Sequence, residues 1–234
     1  MPFGFFMDKW YLLLVVPALL VAAWAQYKVH ATFKKYSQVG TQRGLTGAQA
    51  SELILQREGV AAAIEATGGS LTDHYDPRGN VIRLSEPVFG VSSIAAIGVA
   101  AHETGHALQY AKGYAPIQIR SAILPATRIG STLAPYLVIA GLIFSFYPLA
   151  YAGIALFTLA VLFQLVTLPV EFNASHRAMV AIEQTGLLTE DEQNGARKTL
   201  RAAALTYVAA TATALAQLLR LIVLFGDRGN RRRD

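Results

Sequence analysis

The segment His102-Glu103-Thr104-Gly105-His106 places two histidines and a glutamate at a spacing that suits metal chemistry. It lies within residues 92–111, where the composition favours a helix. Residues four apart on a helix share one face, so both imidazoles can bind the same ion. Zinc prefers nitrogen ligands, and a catalytic zinc keeps one coordination position for a water molecule whose pKa it lowers. Glu103 can then accept a proton from that water as a general base and donate it to a leaving amine.

Two imidazoles need a third protein ligand, and Glu171 is the best candidate in the sequence. It follows Pro169, a residue that suits the first turn of a helix, so we expect a new helical segment to begin there. The residues three, four and seven positions after Glu171 are small, which permits close contact with Gly105 on the first helix. His176 lies about 140° around a regular helix from Glu171 and is therefore a poorer ligand.

The composition indicates a membrane protein. Hydrophobic residues make up 53% of the chain and charged residues 15%, against roughly 25% charged residues in soluble domains. Residues 129–170 contain no charged residue, and as a helix they would measure about 63 Å, twice the hydrocarbon core of about 30 Å. We expect a turn at residues 145–148 and two antiparallel spans. A soluble buried hairpin is a poor alternative, because both halves are apolar on every face.

Two further segments can cross a membrane. Residues 10–27 are uncharged and carry Trp and Tyr at both ends, as interfacial anchors do. Residues 23–25 resemble a signal-peptide cleavage site, but Lys9 is balanced by Asp8 and forms no positive leader, so we expect a retained anchor. Residues 202–225 contain a single charged residue and form the fourth candidate span. An interfacial amphipathic helix is the alternative for that segment.

Four spans place both termini on one side of the membrane and both large loops on the other. Lys and Arg near span ends are more numerous on the loop side, which favours a cytoplasmic position for the catalytic residues. The arginines at 231–233 oppose that orientation. The net charge of +5 is explained by these flanks, and no aromatic and basic module indicates nucleic-acid binding. The chain has no cysteine and therefore no thiolate metal ligand.

The region between the first span and residue 128 is long enough for one small domain. Thr46 is a predicted N-cap of a helix that ends near Gly59. Short extended pieces follow around residues 60–64 and 81–84, separated by turn-forming residues. His74 lies in this turn-rich stretch, where we expect a structural role. We therefore predict a mainly α membrane protein with a zincin-like motif helix, a small β-hairpin or sheet, and about four transmembrane helices.

We expect five segments along the chain, with the metal ligands divided between the second and the fourth. They are an N-terminal transmembrane helix at 1–27, a membrane-proximal catalytic region at 28–128, a transmembrane hairpin at 129–168, a third-ligand helix and following loop at 169–201, and a C-terminal transmembrane or interfacial helix with a basic tail at 202–234.

Four blocks of the sequence resemble a known family. Residues 71–78, 99–109, 168–175 and 203–210 are similar, in the same order, to the bacterial neutral zinc metallopeptidases of the YugP type. The resemblance extends from about residue 40 to residue 224. It implies a zincin-like fold embedded in a bacterial cell membrane and supports Glu171 as the third ligand, but it implies no particular substrate.

The step from Glu171 to Ala174 is also similar to the third-ligand motif of the HtpX-type membrane peptidases. In those proteins an Asp often follows the Ala and supports a ligating histidine. Ser175 occupies that place here. A carboxylate that orients the histidine is then expected from elsewhere, with Asp73 and Asp76 as candidates.

The leading hypothesis is a membrane-embedded zinc endopeptidase. One zinc ion per chain would be held by His102, His106 and Glu171, with Glu103 as the catalytic base and a peptide, protein or membrane protein as substrate. A group that stabilises the oxyanion is also needed. The residues that could supply it, among which the sequence does not choose, are Tyr207, His176, Arg177 and His74.

Two alternatives remain, and the oligomeric state stays open. In an intramembrane protease of the site-2 type the motif helix would itself span the bilayer, but its distant N-x-x-P-x-x-L-D-G-like motif is not found in this chain. A non-catalytic zinc-binding or scaffold protein would need the two histidines and not Glu103, which disfavours it.

Overall fold

The structure is a computed structural model that describes residues 8–230. A short π-helical stretch, Tyr11–Val15, leads into the first of seven α-helices. The elements in chain order are α1 (Val16–Ser37), α2 (Gly47–Glu58), β1 (Ala63–Thr67), β2 (His74–Asp76), β3 (Val81–Ser85), α3 (Glu86–Phe89), α4 (Ile94–Ala111), α5 (Ala115–Ile143), α6 (Tyr147–Thr185) and α7 (Glu190–Asn230).

Within residues 8–230, four helices are long and apolar enough to cross a membrane. These candidate spans are Tyr11–Ser37, Ala115–Ile143, Tyr147–Thr185 and Glu190–Gly226. The motif helix α4 is not among them. The prediction of a mainly α membrane protein with about four transmembrane helices and a small sheet is confirmed. The turn between α5 and α6 lies at Phe144–Phe146, where Ser145 has a positive φ of 52°, close to the expected position.

Local capping sets the ends of α2. The side chain of Thr46 accepts a hydrogen bond from the backbone N–H of Gln49, whose side chain accepts one from the backbone N–H of Thr46. This reciprocal pair satisfies two donors that the first turn of a helix otherwise leaves open. Gly59 ends the helix in the left-handed conformation, with φ 64°. Both ends of α2 agree with the sequence prediction.

The three strands form one sheet in the order β1–β3–β2. β1 runs parallel to β3, and β2 runs antiparallel to β3 with His74 opposite Arg83. Ile82 and Leu84 of β3 are fully buried and belong to one apolar cluster with Ala96 and Ala100 of α4. The sheet therefore packs on the motif helix, with β2 as one of its edge strands.

Contacts divide the described chain into two units. One unit comprises Ala25–Gln118 and Pro169–Leu205, and the remaining described residues form the other. The first unit has an apolar core to which four helices contribute, including Ile54, Ile97, Ile182 and Leu200. The first part of α7 and the last part of α6 therefore pack with α2 and α4 in a single core.

Helix α6 corrects one expectation from the sequence. A new helix was expected to begin behind Pro169, but α6 is continuous from Tyr147 to Thr185. A proline inside a helix removes the donor for the carbonyl four residues earlier, here that of Leu165, and membrane helices tolerate such a position. The carbonyls that follow the proline are used for contacts with other segments: Tyr114 Oη donates to the carbonyl of Pro169 at 3.4 Å, and Gln109 Nε2 donates to the carbonyl of Val170 at 2.8 Å.

Candidate metal centre

The two motif histidines lie on one face of α4. The helix begins at the N-cap Ser93, whose hydroxyl accepts a hydrogen bond from the backbone N–H of Ala96. Its regular geometry then stacks positions 102 and 106, and the two imidazole rings are 4.8 Å apart at an interplanar angle of 85°. Most of α4 is buried, so the sheet and the neighbouring helices hold this face in place.

Glu171 of α6 completes a group that can hold a metal ion. Its carboxylate Oε2 lies 3.3 Å from His102 Nε2 and 3.6 Å from His106 Nε2. One donor atom from each of the three residues lies within 4.8 Å of the others. The side chain of Glu171 is only 2% exposed. The structure therefore brings together the three residues that the sequence predicted as ligands, and a donor set of two imidazoles and one carboxylate fits zinc.

A glycine allows α6 to approach α4 this closely. A Cβ atom added at Gly105 would lie 2.6 Å from the carbonyl oxygen of Ala174. That distance is shorter than carbon and oxygen atoms tolerate, and the contact is with backbone that cannot turn aside. The two helices thus touch at Gly105, which directly precedes the ligand His106, and at Ala174, which lies one turn after Glu171.

The second nitrogen of His106 is held by Gln109, a residue that the sequence analysis did not select. Gln109 is fully buried and its Nε2 donates to the carbonyl of Val170 and to Oδ1 of Asn173. The amide oxygen must therefore face His106 Nδ1, at 3.0 Å. An amide oxygen only accepts, so Nδ1 carries the proton and the lone pair of Nε2 faces Glu171. That is the tautomer a metal ligand needs.

His102 is supported by a hydroxyl and not by a carboxylate. Ser175 Oγ lies 3.2 Å from His102 Nδ1. Asp73 instead accepts hydrogen bonds from the backbone N–H and the hydroxyl of Ser85, and Asp76 pairs with Arg83 at 2.8 Å. The expectation that Asp73 or Asp76 orients the histidine is therefore wrong. Ser175 reaches the ring because it lies one turn after Glu171 on the same face of α6.

Glu103 lies beside the ligands in a buried position. It is 8% exposed, and burial raises the pKa of its carboxyl to about 7. The imidazole of His102 opposes this shift, whereas the negative charges of Glu171 and Asp73 reinforce it. A carboxylate with a pKa near neutrality is a stronger base than an exposed one and still exchanges its proton at physiological pH.

The four candidates for oxyanion stabilisation have different surroundings. His74 belongs to edge strand β2, its Nδ1 donates to the carbonyl of Thr72 at 2.8 Å, and its charge lowers the pKa of Glu103. Arg177 donates to Asn173 Oδ1, His176 is exposed on α6, and Tyr207 belongs to the other unit. Among these four, His74 has an electrostatic effect on the buried base.

Similarity to known proteins covers the whole centre. The sequence model of one protein family, described as "Putative neutral zinc metallopeptidase", matches residues 11–226. A relative from Bacillus subtilis (strain 168), named "Putative membrane protease YugP", is 46% identical over 216 residues, which are 92% of this chain and 96% of the relative. No solved structure matches the chain significantly. The matched range contains the positions of the two motif histidines, the two glutamates, Gln109 and Ser175.

Proposed function

This chain belongs to the neutral zinc metallopeptidase family, and we propose that it is a membrane-embedded endopeptidase that hydrolyses peptide bonds with zinc. The observation that carries the proposal is the convergence of His102, His106 and Glu171 beside the buried carboxyl of Glu103. A site that only binds a metal ion would need the three ligand residues and no further acid. The buried carboxyl of Glu103 beside these ligands adds the general base that hydrolysis requires.

The residues that would hold zinc are His102 and His106 through Nε2 and Glu171 through Oε2. When bound, a zinc ion supplies Lewis acidity that makes a water molecule easier to deprotonate and polarises a carbonyl group. Residues of the chain orient the two histidine ligands. Gln109 keeps the proton of His106 on Nδ1, and Ser175 holds the ring of His102 from behind.

Glu103 would move the protons of the reaction. Its carboxylate accepts a proton from the attacking water and holds it while the peptide carbon becomes tetrahedral. The same carboxyl then donates this proton to the nitrogen of the leaving amine, which restores the base. His74 Nδ1 donates to the carbonyl of Thr72, so a protonated His74 would be needed for its Nε2 to donate a hydrogen bond to the developing oxyanion.

The peptide would bind along the edge of β2. This strand pairs with β3 on one side only, and its Tyr75 packs against the apolar cluster to which the motif helix contributes Ala96 and Ala100. An added strand forms hydrogen bonds with backbone groups, which are the same for every sequence. Such binding suits an endopeptidase that accepts varied polypeptides, and it places the backbone of the substrate next to the base.

The test compares Glu103→Gln with the parent protein in detergent or in liposomes. Peptide hydrolysis should fall by a factor of about 10²–10⁴ or more, because general-base catalysis is lost, while about one zinc ion per chain remains bound. Glu52→Gln is the matched control, since Glu52 is exposed on α2 and away from the centre; it should keep parental activity. Near-parental turnover by zinc-loaded Glu103→Gln would contradict the mechanism.

A further inference from the structure

Helix α6 carries both a membrane span and a candidate metal ligand. From its first residue, Tyr147, the first charged side chain is that of Glu171. Residues 147–170 measure about 36 Å as a helix, and the hydrocarbon core of a bilayer measures about 30 Å. If the helix enters the bilayer at its start, Glu171 lies within about 6 Å of the opposite edge of the apolar layer.

The exposed side chains of α6 place the edge of the apolar layer at the same height, by a separate argument. Its large exposed apolar side chains include Leu162, Leu165 and Phe172, which lie within about 80° of one another around the helix. Phe172 is 48% exposed, although it follows the candidate ligand. His176, one turn later on that face, is exposed and polar. The change from an apolar to a polar surface therefore falls between residues 172 and 176, beyond Glu171.

The rest of the centre lies beside this last apolar turn. His102 Nε2 is 3.3 Å from Glu171 Oε2. Gln109 and Tyr114 donate hydrogen bonds to the carbonyls of Val170 and Pro169. The second half of α4 and the residues that follow it are thus fixed to the end of the apolar run. A peptide bond that is cut at the metal centre must therefore come to the edge of the apolar layer.

We propose that the substrates are membrane-anchored polypeptides, cut within about the first six residues outside their own transmembrane segment. An extended chain advances 3.3–3.6 Å per residue, so these residues span about 20 Å, which includes the interfacial layer. The backbone of an anchored protein already occupies this layer. A soluble protein would first have to unfold and bring polar backbone groups out of water. This inference rests on the proposed peptidase function.

The level of the centre can be measured without activity, because the chain has no cysteine. Phe172→Cys would carry a fluorophore in liposomes that contain lipids with a nitroxide either near the headgroup or deep in the acyl chain. Leu162→Cys and Glu183→Cys are matched controls on the same helix, and both positions are exposed. We expect the shallow nitroxide to quench the label at 172, the deep one to quench the label at 162, and neither to quench the label at 183. A label at 172 that behaves like either control would overturn the inference.

The substrate class is tested with a graded set of anchored peptides. The detergent-solubilised enzyme first identifies a segment that it cuts in a denatured soluble protein, with Glu103→Gln as the blank. That segment is then placed 1, 6 or 16 residues after a Leu/Ala transmembrane helix and reconstituted with the full-length enzyme in liposomes. Cut positions and rates are read by mass spectrometry.

We expect the two nearer segments to be cut several-fold faster than the distant one, with cuts in the first six residues after the helix. Equal rates, or faster cutting of the distant segment, would overturn the juxtamembrane inference while the peptidase function stands. Absence of cutting in both the soluble and the anchored substrates would refute the peptidase function itself.

Discussion

At His106, the nitrogen that is available to a metal depends on the amide of Gln109. Because Gln109 Nε2 donates twice, its oxygen has one orientation, and that orientation fixes the imidazole tautomer. Removing a side chain that supports a metal ligand in this way typically lowers metal affinity by a factor of about 10–100. The side chain also joins α4 to α6, so a single buried amide supports a ligand on each helix.

Two substitutions at Gln109 separate these roles. Gln109→Met keeps the approximate volume and removes both hydrogen-bonding groups, so zinc affinity should fall by about 10–100-fold. Gln109→Glu keeps an acceptor for His106 Nδ1 and loses the donor to Val170. The tautomer of His106, read by ¹⁵N NMR of the metal-free protein, should persist in the Glu variant and change in the Met variant. An unchanged tautomer in both would show that Gln109 only fills space.

Glu171→Ala should lose metal as well as activity. Two imidazoles alone hold zinc poorly, and a catalytic site normally has three protein ligands. This outcome differs from that of Glu103→Gln, which should retain the metal. Glu183→Ala is the matched control, because Glu183 is exposed on the same helix. Zinc content after dialysis is the measurement, and stoichiometric zinc in Glu171→Ala would transfer the third-ligand role to another residue.

At this scale the sequence predicted the residues whose positions follow from helix periodicity. His102 and His106 are four apart, and the small face after Glu171 indicated a close helix contact. The supporting side chains were missed for a physical reason. Gln109 is recognisable only when α4 and α6 are placed side by side. Ser175 occupies the position at which similar peptidases have a supporting Asp, but a carboxylate was expected in this role and the hydroxyl of Ser175 was not considered.

Among the elements, the crossing of α4 and α6 decides whether the centre can form. Gly105→Ala should be destabilising although alanine favours helices by about 1 kcal/mol over glycine. The new Cβ would meet the carbonyl of Ala174 at 2.6 Å, and forced contacts of this kind cost about 1–3 kcal/mol. The helices would separate, so zinc affinity should fall together with the thermal midpoint of unfolding.

Gly226→Ala provides the control for this substitution. Gly226 also lies in a helix, α7, and an added Cβ would meet no atom within 4 Å. It should therefore leave zinc affinity unchanged and be neutral or slightly stabilising in detergent. Equal behaviour of the two variants would mean that the contact at Gly105 does not limit the approach of the helices.

Local signals predicted some elements well and others poorly. The ends of α2 were predictable because each depends on neighbouring residues: Thr46 and Gln49 cap its start, and Gly59 ends it. β2 has three residues and exists through its pairing with β3, so the sequence showed only turns there. Pro169 indicated a helix start, whereas the helix runs through it from Tyr147 to Thr185. A proline suits both a first turn and the interior of a membrane helix, so the local pattern does not distinguish them.

For the whole molecule, an ion pair joins the beginning of the first span to the end of the last. Asp8 accepts hydrogen bonds from the guanidinium of Arg220 at 2.6 and 2.8 Å, and it also caps the backbone N–H groups of Trp10 and Tyr11. The side chain of Arg220 is only 4% exposed, so this charge lies inside the protein. Position 220 therefore lies beside residue 8, which is the arrangement expected if the end of α7 and the start of α1 are on the same side of the membrane.

This pairing supports four crossings over three, and single cysteines can test it in a chain that has none. Ser37→Cys, Gln118→Cys and Gln193→Cys lie at the loop ends of the candidate spans, and Asn230→Cys lies beyond the last one. Basic residues near the loop ends favour a cytoplasmic position for the first three sites. A membrane-impermeant thiol reagent applied to intact cells should therefore label only Asn230→Cys.

Each of the other labelling patterns would contradict either the number of spans or their orientation. If all four cysteines behave alike, α7 lies on the membrane without crossing it, and the contact between Asp8 and Arg220 cannot form in the bilayer. If Ser37→Cys and Gln118→Cys react from outside and Asn230→Cys does not, the number of spans is right and the orientation is inverted. The arginines at 231–233 would then have outweighed the loop residues, and the metal centre would face exported proteins at the outer surface of the membrane.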